Sequence, residues 1–197
     1  MIKTVIFGGA FNPIGTHHLE IANKLLTIFD EVWITPCYKS ITGKVLEDAE
    51  DRVNMCNIAI QNNGKSKIKL CDFEIRNKLH DESSVILDKF LNHYSNFNRK
   101  FYFVIGMDNA TTINKWQNWE NLIKMIPFIV LPRKGYSESE SNMWYYQYPH
   151  IFLKDILIGD FSSTLIRKDL MKNGESGDID EDVLEYIKKH HLYLPEH

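Results

Sequence analysis

Val5-Ile6-Phe7-Gly8-Gly9-Ala10-Phe11-Asn12-Pro13-Ile14-Gly15-Thr16-His17-His18-Leu19 decides how the chain is read. It opens as a short apolar strand, Thr4 to Phe7, breaks at a glycine pair and turns at Pro13. It then enters a helix whose apolar face is Leu19, Ala22, Leu25, Leu26 and Phe29. Strand, glycine turn and helix together are how an open α/β sheet builds a phosphate site. Glycines let backbone N–H groups approach the anion, and the helix N-terminus adds partial positive charge. Two histidines stand where that helix begins, and imidazole donates hydrogen bonds to phosphate oxygens at neutral pH. The segment predicts chemistry on a nucleotide phosphate.

The rest of the chain continues the alternation. Glu31–Thr35 reads as a strand stopped by Pro36, and a polar loop from Cys37 to Glu47 precedes a helix near residues 49–61. Lys67–Ile75 reads as a strand and Ser84–Tyr94 as a helix. Phe101–Ile105, ending at Gly106, and Phe128–Leu131, ending at Pro132, are continuous apolar runs expected in strands buried on both faces. Trp116–Met125 reads as helical between them. Repeated β-then-α order predicts an α/β fold with a doubly wound parallel sheet, whose ligands lie beyond the carboxyl ends of the strands. Lys134–His150, polar and then aromatic at Trp144, Tyr145, Tyr146 and Tyr148, reads as a flexible surface loop. His80, His93, His150, His190, His191 and His197 lie in polar stretches and read as surface residues. The acidic run from Glu175 to Glu185 reads as a solvated loop and helix start with Asp180 as its cap.

Composition bounds the function. The 197 residues suit one domain, 1–197, with a sizeable core. A formal charge of −3 gives no support to a nucleic-acid partner. No secretory leader precedes Gly8 and no apolar run is long enough to span a bilayer, so no membrane association and a cytoplasmic location are expected. Cys37, Cys56 and Cys71 are odd in number and widely spaced, fitting neither a disulfide framework nor a zinc site. A homo-oligomer stays open.

A second signal lies in the last third. Phe161-Ser162-Ser163-Thr164-Leu165-Ile166-Arg167 begins a short helix that ends near Gly174. Serine at a helix start can simply cap it, whereas arginine one turn in can grip a polyphosphate.

The first stretch resembles the Gly-x-Phe-x-Pro-x-His-x-Gly-His signature of the nucleotidylyltransferase superfamily, with Gly9, Phe11, Pro13 and His18 in register. Gly15 stands where that signature has its first histidine, and His17 where it has glycine. The Ser162–Arg167 segment resembles the superfamily's Ile-Ser-Ser-Thr-x-Ile-Arg, differing at Phe161. Further stretches resemble the nicotinate- and nicotinamide-nucleotide adenylyltransferase branch: Ile105-Gly106-Met107-Asp108, Lys115-Trp116-Gln117-Asn118-Trp119-Glu120, Asp51-Arg52-Val53-Asn54-Met55, Phe73-Glu74-Ile75-Arg76 and Arg133-Lys134-Gly135.

The resemblance implies a Rossmann-like nucleotidylyltransferase fold and transfer of the adenylyl group of ATP to a pyridine mononucleotide. It also implies Mg²⁺ bound through the ATP phosphates and not in a protein cage. Gly8, Gly9, Ala10 and Phe11 would offer backbone contacts to phosphates and adenosine, and His18 would donate to the α-phosphate. Ser162, Ser163 and Arg167 would hold the β- and γ-phosphates, and Thr164 and Gly106 would also bind ATP. Asp108, beside Gly106, would meet the adenosine ribose, and Trp116 would stack on the pyridine. Arg133 would contact substrate, and so would Lys39 or Lys44, with Lys44 preferred because it ends its loop. Trp119 is expected in the core. His17 is expected to supply part of what Gly15 lacks, but not one for one, because adjacent helical positions diverge by roughly 100°.

Departures leave alternatives open. The loop Pro36–Lys44 lacks the branch's Pro-Pro-His-Lys, and Ser84-Val85-Ile86-Leu87-Asp88-Lys89-Phe90 lacks the threonine with which the branch helps hold the pyridine nucleotide, so acid and amide substrates are both admitted. A transferase with another phosphate acceptor and a catalytically weak nucleotide-binding module are the rivals. A tRNA-synthetase-like fragment is disfavoured by length and by the lack of a basic face.

Overall fold

The computed structural model describes residues 1–136 and 144–195. The chain runs β1 (Ile2–Gly9), α1 (Thr16–Leu25), β2 (Glu31–Pro36), α2 (Ala49–Asn63), β3 (Ile68–Leu70), α3 (Phe73–Arg76), α4 (Ser83–His93), β4 (Arg99–Gly106), α5 (Met107–Ala110), α6 (Trp119–Met125), β5 (Phe128–Leu131), β6 (Ile151–Phe152), α7 (Ser163–Asn173) and α8 (Glu181–His190). The strands form one sheet in the order β3-β2-β1-β4-β5-β6, and every pairing is parallel. This is the doubly wound sheet that the alternation predicts.

Strand periodicity divides the core in two. Val5, Val32, Ile34, Val104, Ile129 and Leu131 face a cluster with Ala22 and Leu25 of α1, Met55 of α2, Ile166 of α7 and Val183 of α8. Their neighbours Ile6, Trp33, Ile105, Phe128 and Val130 face the other side, against Leu87 and Phe90 of α4 and Leu122 of α6. Successive side chains of a strand point to opposite faces, so a run apolar at every position fills both layers.

Several local expectations are corrected. Lys67–Ile75 keeps only three residues as strand. The Cys71 N–H donates to the Ile34 carbonyl (2.8 Å), and the chain then turns into α3, whose Arg76 pairs with Asp72 at 2.7 Å. Trp116 lies outside a helix, between a 3-10 turn at Ile113–Lys115 and α6. Asn118, in the left-handed region at φ 55°, breaks the run there. The aromatic stretch is a surface segment only in part: Tyr146 and Tyr148 are exposed, but Trp144 and Tyr145 are buried, and the Trp144 indole donates to the Ala110 carbonyl at 3.2 Å. Residues 137–143 lie outside the described residues. His150 is half-buried and accepts from the Phe128 N–H at 3.1 Å, whereas His80, His93, His190 and His191 are exposed. His197 is outside the described residues. Trp119 is half-buried and packs on the second cluster. Asp180 caps α8 by accepting from Asp182 and Val183, as the acidic run predicts, and the cysteines are free thiols. No helix among the described residues is long and apolar enough to cross a membrane.

Glu31 fastens the amino edge of the sheet. Its carboxylate accepts from Arg99 of β4 (Nε, 3.0 Å), Lys69 of β3 (2.6 Å), the Trp33 indole (3.1 Å) and Thr4 of β1 (3.4 Å). Burial alone would raise its pKa, but the hydrogen bonds from Arg99, Lys69 and Trp33 outweigh burial and hold it at about 2. Because the folded carboxyl binds its proton more weakly than the unfolded one, its contribution is complete above pH 4.5 and is lost as pH falls towards 2. Glu31→Gln is expected to remove on the order of 3 kcal/mol of stability at pH 7 and to flatten the acid limb. Urea unfolding across pH 2–7 checks this, and an unchanged acid limb would contradict it.

Candidate active site

The sheet order reverses direction at β1, which lies between β2 and β4, and open α/β sheets bind ligands at such a switch point. A cavity of about 370 Å³ opens there, over the carboxyl ends of β1, β4 and β5. Of the residues expected in the site, Gly8, Gly9, His17, His18, Gly106, Asp108, Trp116, Arg133, Ser162 and Ser163 line it. An adjoining hollow of about 350 Å³ shares Gly9 with it and is lined by Ala10, Lys39 and Lys44. Both lysines thus face the same space, and both are exposed. Phe11, Thr164 and Arg167 do not line the main cavity. Phe11 is buried, and the Arg167 guanidinium is committed to the Asn12 carbonyl (2.7 Å) and to Thr164 Oγ1 (3.3 Å).

The loop from Ala10 to Gly15 is braced from behind. Arg52, fully buried in α2, donates to the carbonyls of Ala10 (2.7 Å), Tyr38 (2.9 Å) and Glu47 (3.0 Å). The Ser163 hydroxyl donates to the Pro13 carbonyl (2.8 Å). Asn12 Oδ1 accepts from the Tyr193 hydroxyl (2.7 Å) and the Glu47 N–H (3.1 Å). The carbonyl oxygens of Ala10, Asn12 and Pro13, which would repel an anion, are therefore engaged by donors from α2 and α7.

The histidines stand at the first turn of α1. The Gly15 N–H donates to His18 Nδ1 at 2.9 Å, which leaves Nε2 as the protonated, donating nitrogen of a neutral ring. The His17 and His18 rings are 3.9 Å apart, centre to centre. Burial holds the His18 pKa well below the ordinary value, aided by the neighbouring His17. Burial also lowers that of His17, against the charge of Asp178. A neutral imidazole needs no proton loss to donate through Nε2.

Asp108, Arg133 and Trp116 line the same cavity. Arg133 Nη1 donates to Asp108 Oδ2 at 3.1 Å, while Asp108 Oδ1 is buried without a hydrogen-bond partner. A Cβ on Gly106 would fall 2.5 Å from that oxygen, so only glycine leaves the carboxylate in place. Ser162 caps α7 by accepting from the Leu165 N–H (3.3 Å), so capping and cavity lining coexist in one residue.

Sequence reasoning missed Glu74, Ser83, Asn109 and Phe161 as cavity-lining residues. Burial pushes the Glu74 carboxyl up to about 7, opposed by a hydrogen bond from the Tyr38 backbone and by the Arg52 charge. Its place in a conspicuous Phe-Glu-Ile-Arg run was the available signal, but reading that run as strand end hid its direction.

Fold and site together define a nucleotidyl-transferring class: the family described as cytidylyltransferase-like matches residues 6–169. The chain is 34% identical to the probable nicotinate-nucleotide adenylyltransferase of Clostridium acetobutylicum, over 98% of this chain and 100% of the relative. It is 33% identical to that of Bacillus pumilus, over 98% and 99%. A solved structure, Plasmodium falciparum nicotinic acid mononucleotide adenylyltransferase complexed with NaAD, superposes with a TM-score of 0.80 at 27% identity, covering 98% of both chains. The chain belongs to the nicotinate-nucleotide adenylyltransferase family.

With no ligand bound, the His18 ring is expected to stay neutral as pH is lowered from 7 through 6.5. Imidazole ¹⁵N shifts in a titration read this, and an ordinary histidine midpoint would contradict it.

Proposed function

We propose that this single-domain chain transfers the adenylyl group of ATP to the 5′-phosphate of nicotinate mononucleotide, releasing pyrophosphate, a step of NAD biosynthesis. The observation that carries the reading is the pair of cavity-lining imidazoles at the β1–α1 junction, with Ser162 and Ser163 on the same wall. A mononucleotide phosphate oxygen attacks the α-phosphorus in line, a new P–O bond forms, and the bond to the bridging oxygen of the β-phosphate breaks. No covalent enzyme intermediate is required, so the protein's task is positioning and stabilisation of the charge that develops on the α-phosphate.

His18 Nε2 donates to that phosphate. Ser162, Ser163 and the start of α7 receive the β- and γ-phosphates. Arg167 acts as a positioning residue, since it holds the Asn12 carbonyl and with it the loop. Asp108 Oδ1, buried and unpartnered, accepts from a ribose hydroxyl. Trp116 also lines a neighbouring recess with Ser83 and Lys115, which gives the pyridine ring a face to stack on. Lys44 and Lys39 approach from the adjoining hollow.

Among the described residues no group of three or more His, Cys, Asp or Glu could hold a metal, and the cavity offers Asp108, already paired with Arg133, and Glu74. Two carboxylates, one of them already paired with a guanidinium, do not make a cation cage. Mg²⁺ would therefore be carried on the ATP phosphates, where it neutralises charge.

Pyrophosphate release with ATP, Mg²⁺ and nicotinate mononucleotide is expected from the native chain. His18→Ala is expected to lower kcat by about 10²–10³-fold. Faster turnover with nicotinamide mononucleotide would reverse the acid preference, and no release with either acceptor would refute the reading.

A further inference from the structure

Gly15 has an extended backbone, φ −109° and ψ 167°, which any residue adopts. The glycine is therefore demanded by space and not by conformation. A Cβ built there would fall 2.6 Å from His17 Nδ1, 2.7 Å from His17 Cε1 and 2.7 Å from Ile166 Cδ1. Real Cβ atoms do not approach so closely. The imidazole of His17 thus occupies the volume that a side chain at position 15 would claim.

The ring is well held in that place. His17 is 8% exposed and is flanked by the His18 ring at 3.9 Å and by the nearly parallel Phe161 ring at 6.3 Å. Its Nδ1 is walled in towards Gly15, buried and without a hydrogen-bond partner. Nε2 is the nitrogen left for a ligand, and the residue lines the cavity beside His18. A buried polar atom without a partner is destabilising, a cost that packing for its own sake does not require.

We infer that Gly15 and His17 form a reciprocal exchange. Position 17 delivers the second phosphate-facing imidazole of the cavity, and the missing side chain at position 15 is what admits it. This rests on the adenylyl-transfer reading. The 100° that separates neighbouring helical positions does not prevent it, because residue 15 is the N-cap in extended backbone and residue 17 lies in the first turn. Their side chains converge from different backbone directions on one volume.

The test is a cycle of Gly15→His, His17→Gly and the double variant, read by kcat, by KM for ATP and by calorimetric affinity for the ATP analogue AMPCPP. H17G is expected to lower kcat by about 10²-fold with a smaller change in KM, and G15H to be impaired because two rings compete for one space. G15H/H17G is expected to recover to within about tenfold of the native chain, far above the sum of the single losses. A Gly15→Ala variant adds a readout independent of catalysis: its loss in Tm should shrink when His17 is also glycine. A native-like kcat in H17G, or additive losses in the double variant, would overturn the exchange. Should the native chain itself fail to turn over, the transferase reading fails separately, and AMPCPP affinity and Tm still decide the exchange: coupled effects support it and additive ones overturn it.

Discussion

The site depends on how the loop after β1 is held. A phosphate-binding loop must keep its carbonyl dipoles away from the anion, and a chain leaving a strand has no partner for them within the sheet. Here Arg52, Ser163 and Arg167 take the carbonyls of Ala10, Pro13 and Asn12, and Tyr193 takes the Asn12 side chain. A fully buried guanidinium is tolerable because its donors are spent on three carbonyls. These donors come from α2, from α7 and from the segment after α8, elements far apart in sequence. The cavity is therefore complete only when the last third of the chain has docked.

This brace also changes the meaning of the second signature. Arginine one turn into a helix after a serine pair suggests a direct phosphate contact, yet Arg167 faces the loop. Its guanidinium holds the Asn12 carbonyl and does not line the main cavity. Ser163 likewise donates to the Pro13 carbonyl while lining the cavity. Structural and functional readings of such residues are compatible, because orientation of the loop and binding of the phosphate are one task.

Much of this was legible in the sequence. Apolar runs such as Phe101–Ile105 and Phe128–Leu131 declare strands buried on both faces, and β–α alternation then sets a parallel sheet. The two ends of the site, Gly8 to His18 and Ser162 to Arg167, stand out because serine, glycine and histidine sit where an ordinary helix start needs only one cap. What was hidden depends on tertiary contacts. Short apolar segments such as Phe73–Arg76 do not reveal their period. Trp144 and Tyr145 lie in a polar stretch, and only the Ala110 carbonyl and the β5 layer draw them inside. Above all, the exchange of Gly15 and His17 looks like a lost histidine in one dimension and becomes a relocated one only when the volume at position 15 is seen to be filled.

The β1–α1 junction is proposed to receive the α-phosphate of ATP between the cavity-lining imidazoles and the start of α7. A crystal structure of the native chain with Mg²⁺ and AMPCPP tests it most directly. An α-phosphate oxygen is expected within hydrogen-bond distance of Nε2 of both His17 and His18, with the Asn12 carbonyl still held by Arg167. A nucleotide bound elsewhere, or an α-phosphate that meets His18 while the His17 ring has turned away from the cavity, would contradict it.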